Sequence, residues 1–358
     1  MRLARTSAVI GGAAGLLGAV AAAGIAQQRR TVGRERALID LRSAAKLGAA
    51  PIDRQRNVQT EDGVSLHTEE CGPADASLTV LFVHGFTLNL SSFDFQRRAL
   101  ATAFDGRLRQ VFYDQRSHGR SQHSPSAGCT IEQLGRDLYS VLDELVPDGP
   151  VVLVGHSMGG MTVMALASQH PELFAEDGRI RAVALINTSS GDLRTITLGL
   201  PSVLARLRGP VVPLVLRRAA KSAALVERGR ALGKDLAWVM TKRLSFADPD
   251  VDPAVIAFCT TMIAATPVDV VADFYSTLMD HDGRLGLRNL TGCQVLVIGA
   301  DSDALTPLAH SELIARTLPS AELVVVPESG HLLMLEHPAA VNEPLLALVR
   351  AAEPVPAR

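Results

Sequence analysis

Six short, almost wholly apolar runs most narrow what this chain can fold into. They are "TVLFVH" (79–84), "QVFYD" (110–114), "VVLVG" (151–155), "AVALIN" (182–187), "QVLVIG" (294–299) and "ELVVVP" (322–327). They are rich in β-branched residues and alternate little. A strand with one wet face alternates, whereas a strand covered on both faces does not, so these runs predict a parallel sheet between two layers of helices. Helical patterns separate them. "TIEQLGRDLYSVLDELV" sets Leu134, Leu138, Leu142 and Leu145 on one face, with Thr130 and Gln133 spaced as a capping box and Pro147 beyond the end. A second helix is expected from Ser157 to about Gln169, just before Pro171. This βαβα order is that of a doubly wound α/β sheet.

The alternation stops between about Asp192 and Leu290. There "LARLRGPVVPLVLRRAAKSAALVERGRALGKDLAWVMTKRL" and "PAVIAFCTTMIAATPVDVVADFYSTLM" read as amphipathic helices with no buried strand. A helical insertion between sheet strands predicts a lid over the strands' carboxyl ends, where α/β active sites lie. The expected organisation is a hydrophobic segment at 1–30, a basic linker at 31–57, a core at 58–191 and 291–351, a cap at 192–290 and a tail at 352–358.

Composition excludes some functions. With 35 Lys and Arg against 37 Asp and Glu, the net charge is -2, and no basic stripe interleaves with aromatics, so no nucleic-acid partner is expected. Cys71, Cys129, Cys259 and Cys293 are scattered without CxxC spacing, which argues against a zinc site or a disulfide framework. Cys293 opens an apolar run, where cysteine acts as a small hydrophobe.

The N-terminus differs from the rest. "AVIGGAAGLLGAVAAAGIA" (8–26) carries no charge and is just long enough for a helix to cross a hydrocarbon core. It reads as a membrane anchor, a cleaved signal peptide or a tail. Arg2 and Arg5, with "GIA" before Gln27, suit a signal peptide and export to the cell envelope. Arg29, Arg30, Arg34, Arg36, Arg42 and Lys46 favour an anchor, with this flank and the catalytic domain cytoplasmic. They could also touch anionic headgroups.

The chemistry concentrates at "GHSMG". Gly155 and Gly159 flank Ser157 in a G-x-S-x-G pattern between a strand and a helix, a turn so sharp that flanking side chains would clash. The turn lifts Ser157 to a helix N-terminus, where developing negative charge is favoured. The bland alternative is an inert βα turn. His156, next in sequence, points elsewhere and reads as scaffolding. A serine nucleophile needs a base, and the base an orienting acid, in the chain order Ser, Asp or Glu, His. "GADSDALTP" and "ESGHLLMLEHP" follow buried runs and so emerge at the same sheet edge as Ser157. His331 is the expected base, ahead of His337. Asp303, which precedes "ALTP", is the expected acid, with Asp301 bracing its loop. Two N–H donors should face the oxyanion: that of Met158, after the nucleophile, and that of Phe86, in the loop after "FVHG". Gly85 would let that backbone bend toward the substrate, and His84 reads as structural.

Together "HGF", "YDQRSHGRS", "GHSMGG", "DALTP" and "SGHLLMLEHP" resemble the α/β-hydrolase fold family over roughly residues 58–350. The resemblance implies a mostly parallel eight-stranded sheet, helices on both faces and a helical cap after strand 6. It implies Ser157 as nucleophile, Asp303 as acid, His331 as base, and Phe86 and Met158 at the oxyanion. Asp114 and Arg116 match a loop that is usually structural in the family. "GHSMGG" is similar to the monoglyceride-lipase and esterase branch, and it also occurs in carbon–carbon-bond hydrolases. Cofactor-free haloperoxidases carry a similar elbow. Ser157 itself argues against epoxide or halide chemistry, for which relatives carry an aspartate. The expected function is hydrolysis of a small, lipid-like carboxylic ester with no metal or organic cofactor. The alternatives are a perhydrolase or carbon–carbon hydrolase with the same triad, and a silent binding protein on this fold.

Overall fold

The computed structural model describes residues 29–196, 218, 235–318 and 320–354. The apolar segment 8–26 and most of the first cap pattern lie outside the described residues. Eight strands form one sheet: β1 Arg54–Gln59, β2 Ser65–Cys71, β3 Thr79–Val83, β4 Arg109–Tyr113, β5 Val151–His156, β6 Ile180–Ile186, β7 Gln294–Ala300 and β8 Glu322–Val326. Their order is β1-β2-β4-β3-β5-β6-β7-β8. β1 and β2, and β2 and β4, pair antiparallel, and the rest pair parallel. The six apolar runs are β3 to β8.

Helices cover both faces. They include α1 Asp94–Ala103, α2 Ile131–Leu145, α3 Met158–Gln169, α4 Pro253–Ala265, α5 Val268–Asp280, α6 Leu308–Thr317 and α7 Pro338–Ala352. Val80 and Phe82 of β3 pack with Leu100 of α1 and Val341 and Leu345 of α7. Their neighbours Leu81 and Val83 pack on the other side with Leu138 and Leu142 of α2 and Val163 of α3. Successive strand residues point to opposite faces, so both sets had to be apolar.

The structure differs from the sequence reading in three places. β1 starts at Arg54, inside the stretch expected as a linker, and residues 29–37 are helical. β2 is buried although its sequence is "SLHTEEC". Its charges are paired: Glu69 accepts from Arg97 at 2.7 Å and from Arg120, and Glu70 accepts from Arg109 at 2.7 Å. Burial raises the Glu69 pKa, but bonds from His67, Arg97 and Arg120 outweigh it and hold it down to about 2. At the start of α2 only half of the capping box forms. Thr130 Oγ1 accepts from Gln133 N–H at 3.1 Å, but the Gln133 side chain donates to Asp137 and accepts from Arg136 instead.

Between β6 and β7 the described residues hold helical residues 235–245, α4 and α5, and no strand of the sheet. Among the described residues no single helix is long and apolar enough to cross a membrane.

Candidate active site

Parallel pairing places the chemistry. His156 pairs with Ile186, Ile186 with Ile298, and Ala300 with Val326, so β5, β6, β7 and β8 end at one sheet edge. β3 ends beside them, with Val83 opposite Gly155. The chain order reverses here, since β3 lies between β4 and β5. Such switch points open a crevice at the strands' carboxyl ends.

Ser157 sits in that crevice at φ 52° and ψ −118°. This left-handed backbone is costly for a residue with a side chain, by about 1–3 kcal/mol. It is held by Ser157 N–H donating to Ile186 O at 3.0 Å and Thr188 Oγ1 donating to Ser157 O at 2.6 Å. The flanking glycines are required by contact. A Cβ on Gly159 would lie 1.9 Å from Val83 O, and one on Gly155 would lie 2.7 Å from Gly159 O.

The expected base and acid converge on it. Ser157 Oγ lies 2.9 Å from His331 Nε2, and His331 Nδ1 lies 2.7 Å from Asp303 Oδ2. A carboxylate can only accept, so Nδ1 carries the proton and the Nε2 lone pair faces the serine hydroxyl. Asp303 is 4% exposed and fully partnered. Its Oδ1 accepts from Leu305 N–H at 2.7 Å and Thr306 N–H at 2.9 Å, and Thr306 Oγ1 lies 2.8 Å from its Oδ2. Burial pushes the Asp303 pKa up, but the charge and hydrogen bond of His331 and the Thr306 donors outweigh it, leaving it below the usual carboxylate range. Asp301 is exposed, accepts from Ser302 Oγ and donates its N–H to Val326 O at 3.2 Å, away from His331. His337 stands at the start of α7, away from Ser157.

His156 takes a part that the sequence did not show. Its Nε2 lies 2.9 Å from the backbone carbonyl of His331, to which it donates. Asn187 Nδ2 donates to the same carbonyl at 3.1 Å and to Gly330 O at 2.9 Å, while its Oδ1 accepts from Ala300 N–H at 2.8 Å. The end of β6 therefore ties the acid loop to the base loop. Burial pushes the His156 pKa down to about 3, so the ring stays neutral beside His331, 4.9 Å away between centroids. His156 was read as scaffolding without its partner, Asn187 was missed because its partners are far away in sequence, and Thr306 was missed although Asp303 is only three residues away. Asn187 closing "AVALIN" and Thr306 within "DALTP" were the available signals.

The N–H groups of Phe86 and Met158 have no hydrogen-bond partner among the described residues. Beneath them His84 is buried, with Nδ1 donating to Gly85 O at 2.8 Å and Nε2 accepting from Gln115 N–H at 2.9 Å. Burial pushes its pKa down to about 4. Gly85 is not at a positive φ, so no left-handed turn requires it. It is needed because a Cβ there would lie 2.7 Å from His156 Nδ1. Asp114 and Arg116 are structural: Asp114 accepts from the Leu90 and Arg120 N–H groups, and Arg116 spans Asp137 and Asp62 at 2.6 and 2.9 Å.

A cavity of about 370 Å³ opens above Ser157 and His331. Leu88, Met161, Leu193, Leu278 and Leu305 make its lining largely apolar, and residues 237–245 form the cap side. The arrangement offers a hydroxyl within hydrogen-bond reach of a base, two N–H groups with no partner among the described residues, and a largely apolar cavity over Ser157.

Residues 79–338 match the family model described as the alpha/beta hydrolase fold. The chain is 30% identical over 294 residues to RutD of Variovorax paradoxus, assigned as a carbamate hydrolase, covering 82% of this chain and 99% of that protein. It is 26% identical over 266 residues to an sn-1-specific diacylglycerol lipase of Mus musculus, covering 72% and 76% of the two. The structure is similar to that of a thermophilic esterase from Thermogutta terrifontis, with a TM-score of 0.64, 26% identity, and coverage of 84% of this chain and 100% of that one. The chain belongs to the alpha/beta hydrolase fold family.

Proposed function

We propose that the protein is a serine hydrolase that cleaves carboxylic esters with an apolar acyl group. The observation that carries this reading is the unbroken relay from Ser157 through His331 to Asp303, at 2.9 and 2.7 Å. Ser157 Oγ attacks the ester carbonyl as His331 Nε2 takes its proton. The oxyanion forms against the Phe86 and Met158 N–H groups. His331 passes the proton to the departing alkoxide, leaving an acyl-serine. Water then attacks that ester, gives a proton to His331 and releases the acid, and the proton returns to Ser157. Asp303 stabilises the imidazolium at each stage. The apolar cavity supports a hydrophobic acyl chain, as does the likeness to the diacylglycerol lipase.

The likeness to RutD favours a second reading, attack on a carbamate carbonyl by the same relay. p-Nitrophenyl esters of rising chain length, assayed beside alkyl carbamates, separate the two. Turnover of esters is expected, and carbamate turnover with none on any ester overturns the ester assignment. For the sequence 8–26 we keep the anchor reading, with the catalytic domain cytoplasmic. Recovery of the full chain in the soluble fraction after cell lysis contradicts it.

A further inference from the structure

Helical residues 235–245 form one wall of the cavity, which Ala237, Met240, Thr241, Leu244 and Ser245 line. Another stripe of the same helix is held from outside by residues 29–37. Trp238 Nε1 and Lys242 Nζ each donate to Glu35 at 2.7 Å, and Arg36 Nη1 donates to Asp235 at 2.9 Å. Positions 235, 238 and 242 recur at helical spacing, so they share a face. Trp238 is 2% exposed, and a buried indole N–H needs an acceptor, which Glu35 supplies. The Glu35 and Lys242 side chains are themselves mostly covered, so solvent screens the pair only in part. Burial raises the Glu35 pKa, but the bonds from Lys242 and Trp238 outweigh it and leave it below the usual range.

Just past Ser245 the chain is tied to the base loop. Leu332 N–H donates to Ser245 O at 2.9 Å. Glu336 accepts from Ala247 N–H and Asp248 N–H at 2.7 Å each, and from Gly330 N–H at 2.6 Å. The wall is therefore fixed at one end beside His331 and along its outer face by the basic segment that the proposed chemistry does not use.

We propose that Glu35 is a specificity-determining residue. It touches no substrate. It fixes the wall through Trp238 and Lys242, and the wall sets which acyl chains fit. This rests on the ester reading of the site. A fixed wall discriminates between chains by fit, and a released wall follows whatever enters, so loss of Glu35 should flatten the chain-length preference.

The test uses the full chain as wild type, Glu35→Ala, Glu35→Gln, Lys242→Ala and the Glu35→Ala/Lys242→Ala double variant. The readout is kcat/KM for p-nitrophenyl acetate, butyrate, octanoate and dodecanoate. Glu35→Ala should shift the octanoate-to-acetate ratio by about threefold or more while leaving acetate within about twofold. Glu35→Gln, which keeps an acceptor for the indole, should shift it less. The double variant should match Glu35→Ala, because both changes act through one contact. An unchanged ratio in a folded Glu35→Ala protein overturns the assignment. If that variant does not fold, an unchanged ratio in both Glu35→Gln and Lys242→Ala overturns it. Trp238 is the sole tryptophan and reports on the wall without catalysis. Its emission during titration with hexanoate and dodecanoate gives an affinity ratio that Glu35→Ala should also shift. Absence of turnover by the wild type then counts against the ester reading, and an unshifted affinity ratio counts against Glu35.

Discussion

The floor and the cap side of the cavity are held in different ways. On the floor, Ser157, Asp303 and His331 follow β5, β7 and β8, whose ends are aligned by strand register. Buried bonds from Asn187, Thr306 and His156 then lock the loops that carry them. The cap side has no strand register and rests largely on side chains, beside a few backbone bonds such as Leu332 N–H to Ser245 O. Glu35 and Arg36 hold residues 235–245, Arg194 pairs with Asp280 of α5, and Leu236 and Met240 remain 56% and 45% exposed. Backbone register locates reacting atoms tightly, as in-line chemistry requires. A side-chain-held roof can change without disturbing them. On this account the floor decides the reaction and the cap side decides the substrate.

The contrast makes floor changes costly in rate and cap changes costly only in selectivity. Ser157→Ala should lower kcat by about a million-fold while leaving the fold intact, as measured by ester hydrolysis beside thermal unfolding. Retention of more than a few per cent of the rate breaks the floor account. Asp303→Asn should cost roughly ten-thousand-fold in kcat, because the amide favours the wrong tautomer of His331, with Nε2 protonated toward Ser157 and unable to take its proton. A much smaller loss would mean that Thr306 or Asn187 orients His331 unaided.

Buried histidines on both sides of the cavity should make the fold sensitive to acid, including His281 after α5, which burial pushes down to about 4. Burial pushes His84 down to about 4, and His118 and His156 down to about 3. In the unfolded chain they take up protons near pH 6.5. Between that pH and their folded values the unfolded state binds more protons, so stability is full above pH 6.5 and falls as pH drops toward 3–4. Unfolding free energies from urea titrations at pH 7 and pH 5 should differ by about 1–2 kcal/mol for each such histidine, with the lower midpoint at pH 5. Equal midpoints contradict their neutral burial.

His156→Phe should lower kcat by about 10- to 100-fold with a smaller change in KM, because it removes one of the two donors to the His331 carbonyl, while its ring is one of many groups lining the cavity. His156→Asn, which keeps a donor, should recover part of the loss. A rise in KM alone would make His156 part of the substrate site and not a brace for the base. The smallest effect is that of Glu35 on chain-length preference, and it belongs to the cap side.

The same division governs what could be read from the sequence. β3 to β8 stood out because helices cover the sheet and most of their positions are apolar. β1 and β2 did not: β1 is a mostly exposed edge strand, and in β2 Glu69 and Glu70 are buried by arginines that come from elsewhere in the chain. Ser157, Asp303 and His331 were legible because the elbow and the chain order restrict where a nucleophile, an acid and a base can stand. The role of His156 was not, since its partner carbonyl lies 175 residues away. Asn187 was hidden for the same reason, whereas Thr306 stands three residues from Asp303 and was within reach of a local pattern. The contact between Glu35 and Trp238 spans 203 residues and joins a basic stretch to an amphipathic helix with no motif. Local patterns report what a residue's own element requires, and long-range hydrogen bonds leave no such trace.

The central claim is that Ser157 is the nucleophile that His331 activates. It is tested most directly by incubating the wild type with a fluorophosphonate and mapping the adduct by mass spectrometry. One phosphonyl group on Ser157, lost in Ser157→Ala and strongly slowed in His331→Ala, is the predicted result. No adduct on Ser157 in a folded wild type, or equal labelling rates in wild type and His331→Ala, would contradict it.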